Sequence, residues 1–346
     1  MSLLTPERIR TISQPEKFAT SMHLFNRDRL ATLADMIAND QLDNRMTQKW
    51  NGILEIDNTY TPKGPIDPFN IPNYYDDPVA NNALTVIMRD DGITAVDLGI
   101  RYRMLGDEAD AAAVVRIIEP WTTIQTFVNL GESRLTWSYK WTLFMQAAQL
   151  IEGSAAYTPE LKSTMETFTR AHMDMSTAYV QTENRAMWGC LLEVAAGAFL
   201  NDRAMFDKGI ARWREIFESD IKGNVPVREI LREANGLHYC NFLLSAMAQT
   251  AEIARFNGEW LYDYVTSDGS TFKGVWETVA HWTRYPSLYP YWPGSGTIRI
   301  QAHVDILHAL WPNEDSQALI DTYTTTQDTF GFRQGILAYR YRPLWG

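Results

Sequence analysis

The chain has 346 residues, 45% of them hydrophobic, which is apolar material for one large domain or two ordinary ones. Its formal net charge of -11 argues against nonspecific binding to nucleic acid or anionic membrane, both of which need a basic surface, and restricts any anionic ligand to a locally basic cleft. No run of about 18 apolar residues is present to span a bilayer, and two cysteines, Cys190 and Cys240, form neither a disulfide framework nor a zinc-site spacing.

The opening "MSLLTPERIRTISQPEKF" lacks the apolar stretch of an export signal. The expectation is a protein made without export, or a periplasmic or secreted one whose signal has been trimmed. Beyond it, apolar residues recur at helical spacing in segments separated by short turns. Helices are expected near 15–38, 79–106, 108–127, 133–152, 159–178, 183–200, 202–220, 228–256, 271–283, 297–311 and 314–326. Breakers such as Gly106-Asp107, Gly153-Ser154, Asn201-Asp202, Gly223-Asn224 and Asn257-Gly258 fall between them. No strand series is visible. Antiparallel helical hairpins in series predict an all-α fold, an α/α toroid or incomplete barrel, and no fixed-period repeat supports a regular solenoid. Two stretches break the pattern. Within residues 57–78, "DNTYTPKGPIDPFNIPNYYDD" carries four prolines and three tyrosines, the composition of a functional loop or lid. "RYPSLYPYWPGSG", at 284–296, is a second aromatic, Pro-rich loop. With no low-complexity linker, one catalytic domain spanning 1–346 is expected.

The stretch "LREANGLHYCN", 231–241, places polar groups inside an otherwise apolar segment. On a helix, Arg232, Asn235, Gly236 and Tyr239 stand at i, i+3, i+4 and i+7, one face. A guanidinium and a phenol so placed could flank one ligand. Gly236 leaves room between them at a cost of about 1 kcal/mol in helix propensity. A buried Arg–Tyr network joining helices explains the same spacing without a ligand. The second signal is "QTENRAMWG", 181–189, where Thr182 suits an N-cap and Glu183, Asn184 and Arg185 fill the first turn. Free N–H groups and the helix dipole make that turn a place for an anion. Glu183 suits the dipole, whereas Arg185 opposes it and points to a partner or ligand.

These residues resemble a family. "TENRAMWG", "DRAMFDKGIARWREIF" and "VREILREANGLHYCNFLLSAMAQTAEIARFNG" look like the core of the alginate lyase family of polysaccharide lyases. "YYDDPVANNALTVIMRDDGITAVDLGIRYRMLGDEADAAAVVRIIEPW" is similar to its early helical hairpin, so the likeness runs from about 74 to 258. The family shows an Asn-Asn-His-x-x-Trp element and an Arg seven residues before a Tyr. By resemblance, Tyr239 matches the catalytic tyrosine, Arg232 the arginine beside it, Asn184 the asparagine that neutralises the substrate carboxylate, and Trp188 the tryptophan. Glu183 replaces the first Asn, and Arg185 stands where the family has His.

The resemblance implies cleavage of a uronate polymer by β-elimination, with no metal or cofactor. The C5 proton beside the carboxylate becomes removable only if the developing enolate is stabilised by donors. Asn184 and Arg185 are the expected donors, with Glu183 assisting if protonated or orienting Arg232 if not. Tyr239 is the expected base and acid, with Arg232 drawing its pKa down from about 10. One residue reaches both C5–H and O4 only in a syn elimination, as in mannuronate or glucuronate. His238 points about 100° away from Tyr239 on a helix and is read as structural or a substrate contact.

Further substrate contacts are expected from Asn235, His238, Trp188, Tyr139, Lys140, Trp141, Arg284 and Tyr285, with Tyr289, Tyr291 and Trp292 available for stacking. Core packing explains Trp141 equally well. Adjacent Asp90 and Asp91 point apart on a helix and cannot make a hydrolase pair, and His303 and His308 miss the metal-pair spacing. "PGSGT" lacks the lysine of a phosphate loop. A toroid glycoside hydrolase would need two facing carboxylates, and the sequence places only Glu183 in the cleft. A non-catalytic glycan-binding or scaffold protein is the remaining alternative.

Overall fold

The computed structural model describes residues 22–25, 27–292 and 303–322. Twelve helices dominate the described residues. They are α1 (Arg27–Ala38), α2 (Asn44–Leu54), α3 (Pro78–Leu105), α4 (Glu108–Trp121), α5 (Leu130–Leu150), α6 (Pro159–Ala171), α7 (Glu183–Phe199), α8 (Arg203–Asp220), α9 (Gly236–Phe256), α10 (Phe272–Arg284), α11 (His303–Leu310) and α12 (Glu314–Thr322). The two-residue strands β1 (Phe69–Asn70) and β2 (Phe127–Val128) pair in parallel, and β3 (Ile221–Lys222) and β4 (Val225–Pro226) pair antiparallel.

Starts and stops follow local chemistry. Asp77 caps α3 through the Ala80 N–H, with Pro78 in the first turn, and Gly106 ends the helix at φ 70°. Asp202 and Thr271 cap α8 and α10 in the same way. Helices α5, α7 and α9 are buried nearly all round, which marks them as inner helices. They pack in the order α3–α5–α7–α9–α10, while α4 and α8 return along the outside of α3 and α7. This is the expected α/α toroid, an arc of hairpins and not a closed barrel. Within it Trp137, Trp141 and Phe144 stack along α5, at 4.5 and 5.3 Å between ring centroids. Gly189 lets α7 reach the backbone of Ala178, where an added Cβ would sit 2.0 Å from a nitrogen.

Three expectations change. Residues 44–54 form α2, which the periodicity did not pick out. The helix expected over 228–256 begins only at Gly236, because Glu233 at φ 50° lies between two short 3-10 turns, Glu229–Leu231 and Glu233–Asn235. The segments expected over 108–127 and 159–178 stop at Trp121 and Ala171. The helices expected to open at 15 and 297 and to close at 326 extend outside the described residues.

Residues 57–78 are tied down at one end. Buried Asp91 of α3 accepts from the Tyr60 hydroxyl (2.8 Å), the Lys63 and Gly64 N–H groups (2.9 and 3.0 Å) and Trp121 Nε1 (2.9 Å). Strand β1 then fastens the loop to β2. Asp90, turned away as its helical position requires, pairs with Lys63 and Arg89.

Candidate active site

Each inner helix is followed by an outer one that returns the chain, so α3, α5, α7 and α9 run in one direction. Their first turns open on a single cleft of about 390 Å³. Asn81, Asn82, Thr85, Val86 and Arg89 come from α3, and Glu132, Leu135, Tyr139 and Lys140 from α5. Asn184 and Arg185 come from α7, Arg232 and Asn235 from the 3-10 turns, His238, Tyr239 and Phe242 from α9, and Tyr74 and Tyr75 from the long loop. Four positive dipole ends thus face the cleft, where an anion gains from each. The side chains agree: three guanidiniums and the Lys140 amine line it with one carboxylate, Glu132, in a chain of net charge -11. Lys140 is 2% exposed, and burial followed by the Arg89 charge holds its pKa well below the ordinary lysine value.

The stripe of Arg232 and Tyr239 survives with a different geometry. Because the helix starts at Gly236, Arg232 lies over the ring of Tyr239, its Cζ 4.2 Å from the centroid. Arg232 also donates to the Tyr75 hydroxyl (2.9 Å) and lies 3.6 Å from Glu183. Glu183 reaches it with a left-handed backbone, φ 62°. The Tyr75 and Tyr239 hydroxyls share a short hydrogen bond. Burial, then the Tyr75 hydroxyl, pushes the Tyr239 pKa up, while Arg232 and Arg185 pull it down. The expected lowering by Arg232 is therefore outweighed, and Tyr239 is held as a phenol. Gly236 also proves to make room for protein, not ligand: an added Cβ would lie 2.4 Å from the Tyr289 hydroxyl.

Asn184 is 2% exposed and is held by a residue the sequence reading missed. Thr182 makes no side-chain cap bond to α7. Instead Glu229, 1% exposed, accepts the Asn184 backbone N–H (2.8 Å) and its Nδ2 with both oxygens (2.8 and 2.9 Å). Burial raises the Glu229 carboxyl to about 7, with Glu183 adding to the rise and the Asn184 hydrogen bonds and Arg232 opposing it. Arg185 is more loosely held, 3.8 Å from Glu132. Burial raises the Glu132 pKa against the pull of Arg185 and of Asn81, which donates to it at 3.3 Å.

The cleft brings together Tyr239, Arg232, Asn184, Arg185, Asn235, His238, Tyr139 and Lys140, with Glu183 behind Arg232. Trp188 and Trp141 are fully buried and belong to the core, against the expectation of substrate contact. Trp188 packs on Tyr139 and Phe242, and Trp141 donates to Thr169 Oγ1 (3.0 Å). Arg284 is likewise outside the cleft, bridging to Glu314 (3.0 Å) and Asp315 (2.9 Å), with Tyr285 beneath it at 4.8 Å. Tyr289 packs under α9. Glu183 is not alone among acids near the cleft, since Glu132 lines it and Glu229 backs it. Among the described residues no group of three or more His, Cys, Asp or Glu side chains could hold a metal, and no helix is long and apolar enough to cross a membrane.

Solved structures share this architecture. A point variant of alginate lyase A1-III complexed with tetrasaccharide superposes with a TM-score of 0.75 at 18% identity, covering 96% of this chain and 99% of that one. An alginate lyase from Bacteroides ovatus gives 0.69 at 16% identity, over 91% and 98%. A polysaccharide lyase from Stenotrophomonas maltophilia (strain K279a) is 21% identical over 211 residues, 58% of this chain and 62% of that protein, so the match spans less than two thirds of the relative. The family model described as alginate lyase matches residues 55–288, and the chain belongs to the alginate lyase family.

Proposed function

We propose that the protein is a metal-independent polysaccharide lyase that cuts a uronate polymer of mannuronate or glucuronate type by syn β-elimination. The observation that carries this reading is the guanidinium of Arg232 over the ring of Tyr239, in a cleft that also holds Asn184 and Arg185. The relative complexed with a tetrasaccharide supports a saccharide chain as the ligand.

The reaction removes the C5 proton, breaks the C4–O4 bond and leaves a C4=C5 double bond. The substrate carboxylate takes up the charge that develops as C5–H breaks, so donors aimed at it lower the barrier most. Arg185, which among the described residues makes a long contact to Glu132, turns to that carboxylate, with Asn184 beside it. Tyr239 takes the proton as a phenolate and, as the phenol so formed, gives it to O4. Atoms and charge then balance without another group. Substrate must first part the Tyr75 and Tyr239 hydroxyls, and this removes one of the influences that keep Tyr239 protonated. The loop carrying Tyr75 thereby acts as a lid.

The syn preference follows from assigning both proton transfers to Tyr239. Arg185 occupies the family histidine position, and a guanidinium does not deprotonate in proteins, so it cannot serve as a base on the opposite face. Incubation with polymannuronate or glucuronan is expected to raise the near-ultraviolet absorbance as unsaturated ends form. Tyr239→Phe is expected to abolish the rise with an unchanged thermal melt. New reducing ends without the chromophore would indicate hydrolysis, and binding without either would indicate a glycan-binding protein.

A further inference from the structure

Glu229 takes no part in the elimination, and a buried carboxylate is costly unless its acceptors are used. It sits on the turn that brings in Arg232, and the three hydrogen bonds to its carboxylate come from Asn184. A side-chain amide has one nitrogen that donates and one oxygen that accepts. With Nδ2 held by both Glu229 oxygens, at 2.8 and 2.9 Å, the two-donor end of the Asn184 amide is turned to Glu229 and its carbonyl end is turned away from it. That polarity is wrong for a substrate carboxylate, which also only accepts.

A proton on Glu229 reverses it. The new O–H donates to Asn184 Oδ1 after a half-turn of the amide. The other Glu229 oxygen keeps the Asn184 backbone N–H, and Nδ2 is released toward the cleft. The Glu229 carboxyl keeps a bond to the Asn184 side chain and to its backbone N–H in both arrangements, so the pair has two states differing by one proton and one amide rotation. We propose that Glu229 is a positioning residue whose proton turns the Asn184 amide from acceptor to donor, so that binding a uronate carboxylate at Asn184 takes up a proton from solvent. The proposal rests on the lyase reading above, in which Asn184 meets that carboxylate.

The surroundings make Glu229 the group that responds near neutrality. Glu183 and Asn184 face it from α7, Arg232 from its own segment, Cys240 from α9 and Tyr289 from beyond α10. Adjacent Arg228 is turned to Asp220, at 3.1 Å. Burial pushes the Cys240 thiol and the Tyr289 phenol up, so both stay protonated. Glu229 itself is raised to about 7.

The test uses Tyr239→Phe, which binds without turnover, and a mannuronate or glucuronate oligomer as probe. Calorimetry near pH 7.5 in two buffers of different ionisation enthalpy counts protons. The expected results are net proton uptake in Y239F and its loss in Y239F/E229Q. The amide introduced by E229Q mimics the protonated acid, so in the double variant affinity no longer falls as pH rises from about 6 to about 8. E229A is expected to bind weakly at every pH. Binding without proton uptake in Y239F overturns the proposal. So does uptake that persists in Y239F/E229Q, which would belong to another group such as His238, or a Y239F/E229Q variant that binds as poorly as Y239F/E229A. Wild-type enzyme that forms no unsaturated product, while Y239F binds the oligomer with proton uptake, sinks the lyase reading alone. An oligomer that fails to bind overturns both.

Discussion

Arg232 makes three contacts that a shorter, rounder cation cannot make at once. It covers the Tyr239 ring, donates to Tyr75 and lies near Glu183. Arg232→Lys is expected to lower kcat by about 10²-fold, the usual loss for one preorganised donor, with a smaller change in KM. Because burial and Tyr75 raise the Tyr239 phenol, wild-type kcat should climb toward alkaline pH, and R232K should need still higher pH for the same fraction of phenolate. A kcat–pH profile of the two proteins checks both statements. Glu229 gives a stability prediction at the same scale. Its folded pKa of about 7 lies above the ordinary 4.5, so the fold favours the protonated form. The associated stability is fully present below about pH 4.5 and is lost as pH rises through about 7, amounting to about 3 kcal/mol at most. Glu229→Gln, which carries no charge at any pH, is therefore expected to gain in melting temperature over wild type between pH 5 and 8, as measured by thermal unfolding.

At the scale of elements, the start of α9 is set by a contact between distant parts of the chain. The Tyr289 hydroxyl occupies the space that a side chain at Gly236 would need. Gly236→Ala is expected to destabilise by about 1–3 kcal/mol through overpacking. Tyr289→Phe removes the obstructing oxygen, so the double variant should recover part of that loss, and a double-mutant cycle by denaturant unfolding measures the coupling. The elements themselves were largely legible, because the 3.6-residue period and the Gly, Asn and Asp breakers are local signals. The exceptions have physical causes. Residues 44–54, "NRMTQKWNGIL", do carry a stripe, Met46, Trp50 and Ile53 at i, i+4 and i+7, but it is short and set in an otherwise polar segment. The turns at 229–235 depend on a left-handed Glu233, which nothing in the residue type announces. The site divides in the same way. Asn184 and Arg185, or Arg232 and Tyr239, are neighbours in sequence, and their pattern carries them. Glu229 meets Asn184 from 45 residues away and Tyr75 meets Tyr239 from 164, so neither pairing leaves a local trace. Trp188, expected at the substrate, and Trp141, open between core and cleft, both lie in the core, since an aromatic on an inner helix has the same spacing whichever way it faces.

Across the whole molecule, the toroid sets four helix N-termini and three guanidiniums against an overall charge of -11. The cleft attracts a polyanion that the rest of the surface repels, so ionic strength acts on encounter and binding more than on chemistry. Raising the salt from about 0.05 to about 0.5 M, across which the screening length falls severalfold, is expected to increase KM for a uronate polymer several-fold and leave kcat nearly unchanged. A neutral, carboxyl-reduced polymer should show no such dependence. In the proposed mechanism Tyr239 carries both protons on one face of the sugar ring, and Arg185 stands at the family histidine position as a guanidinium that does not act as a base. The most direct measurement is the initial rate of near-ultraviolet absorbance increase on polymannuronate, glucuronan and polyguluronate at equal uronate concentration. Rapid formation of unsaturated ends from polymannuronate or glucuronan, with polyguluronate left essentially uncut, is the expected result. Polyguluronate degraded as fast as the other two would contradict the single-face elimination by Tyr239.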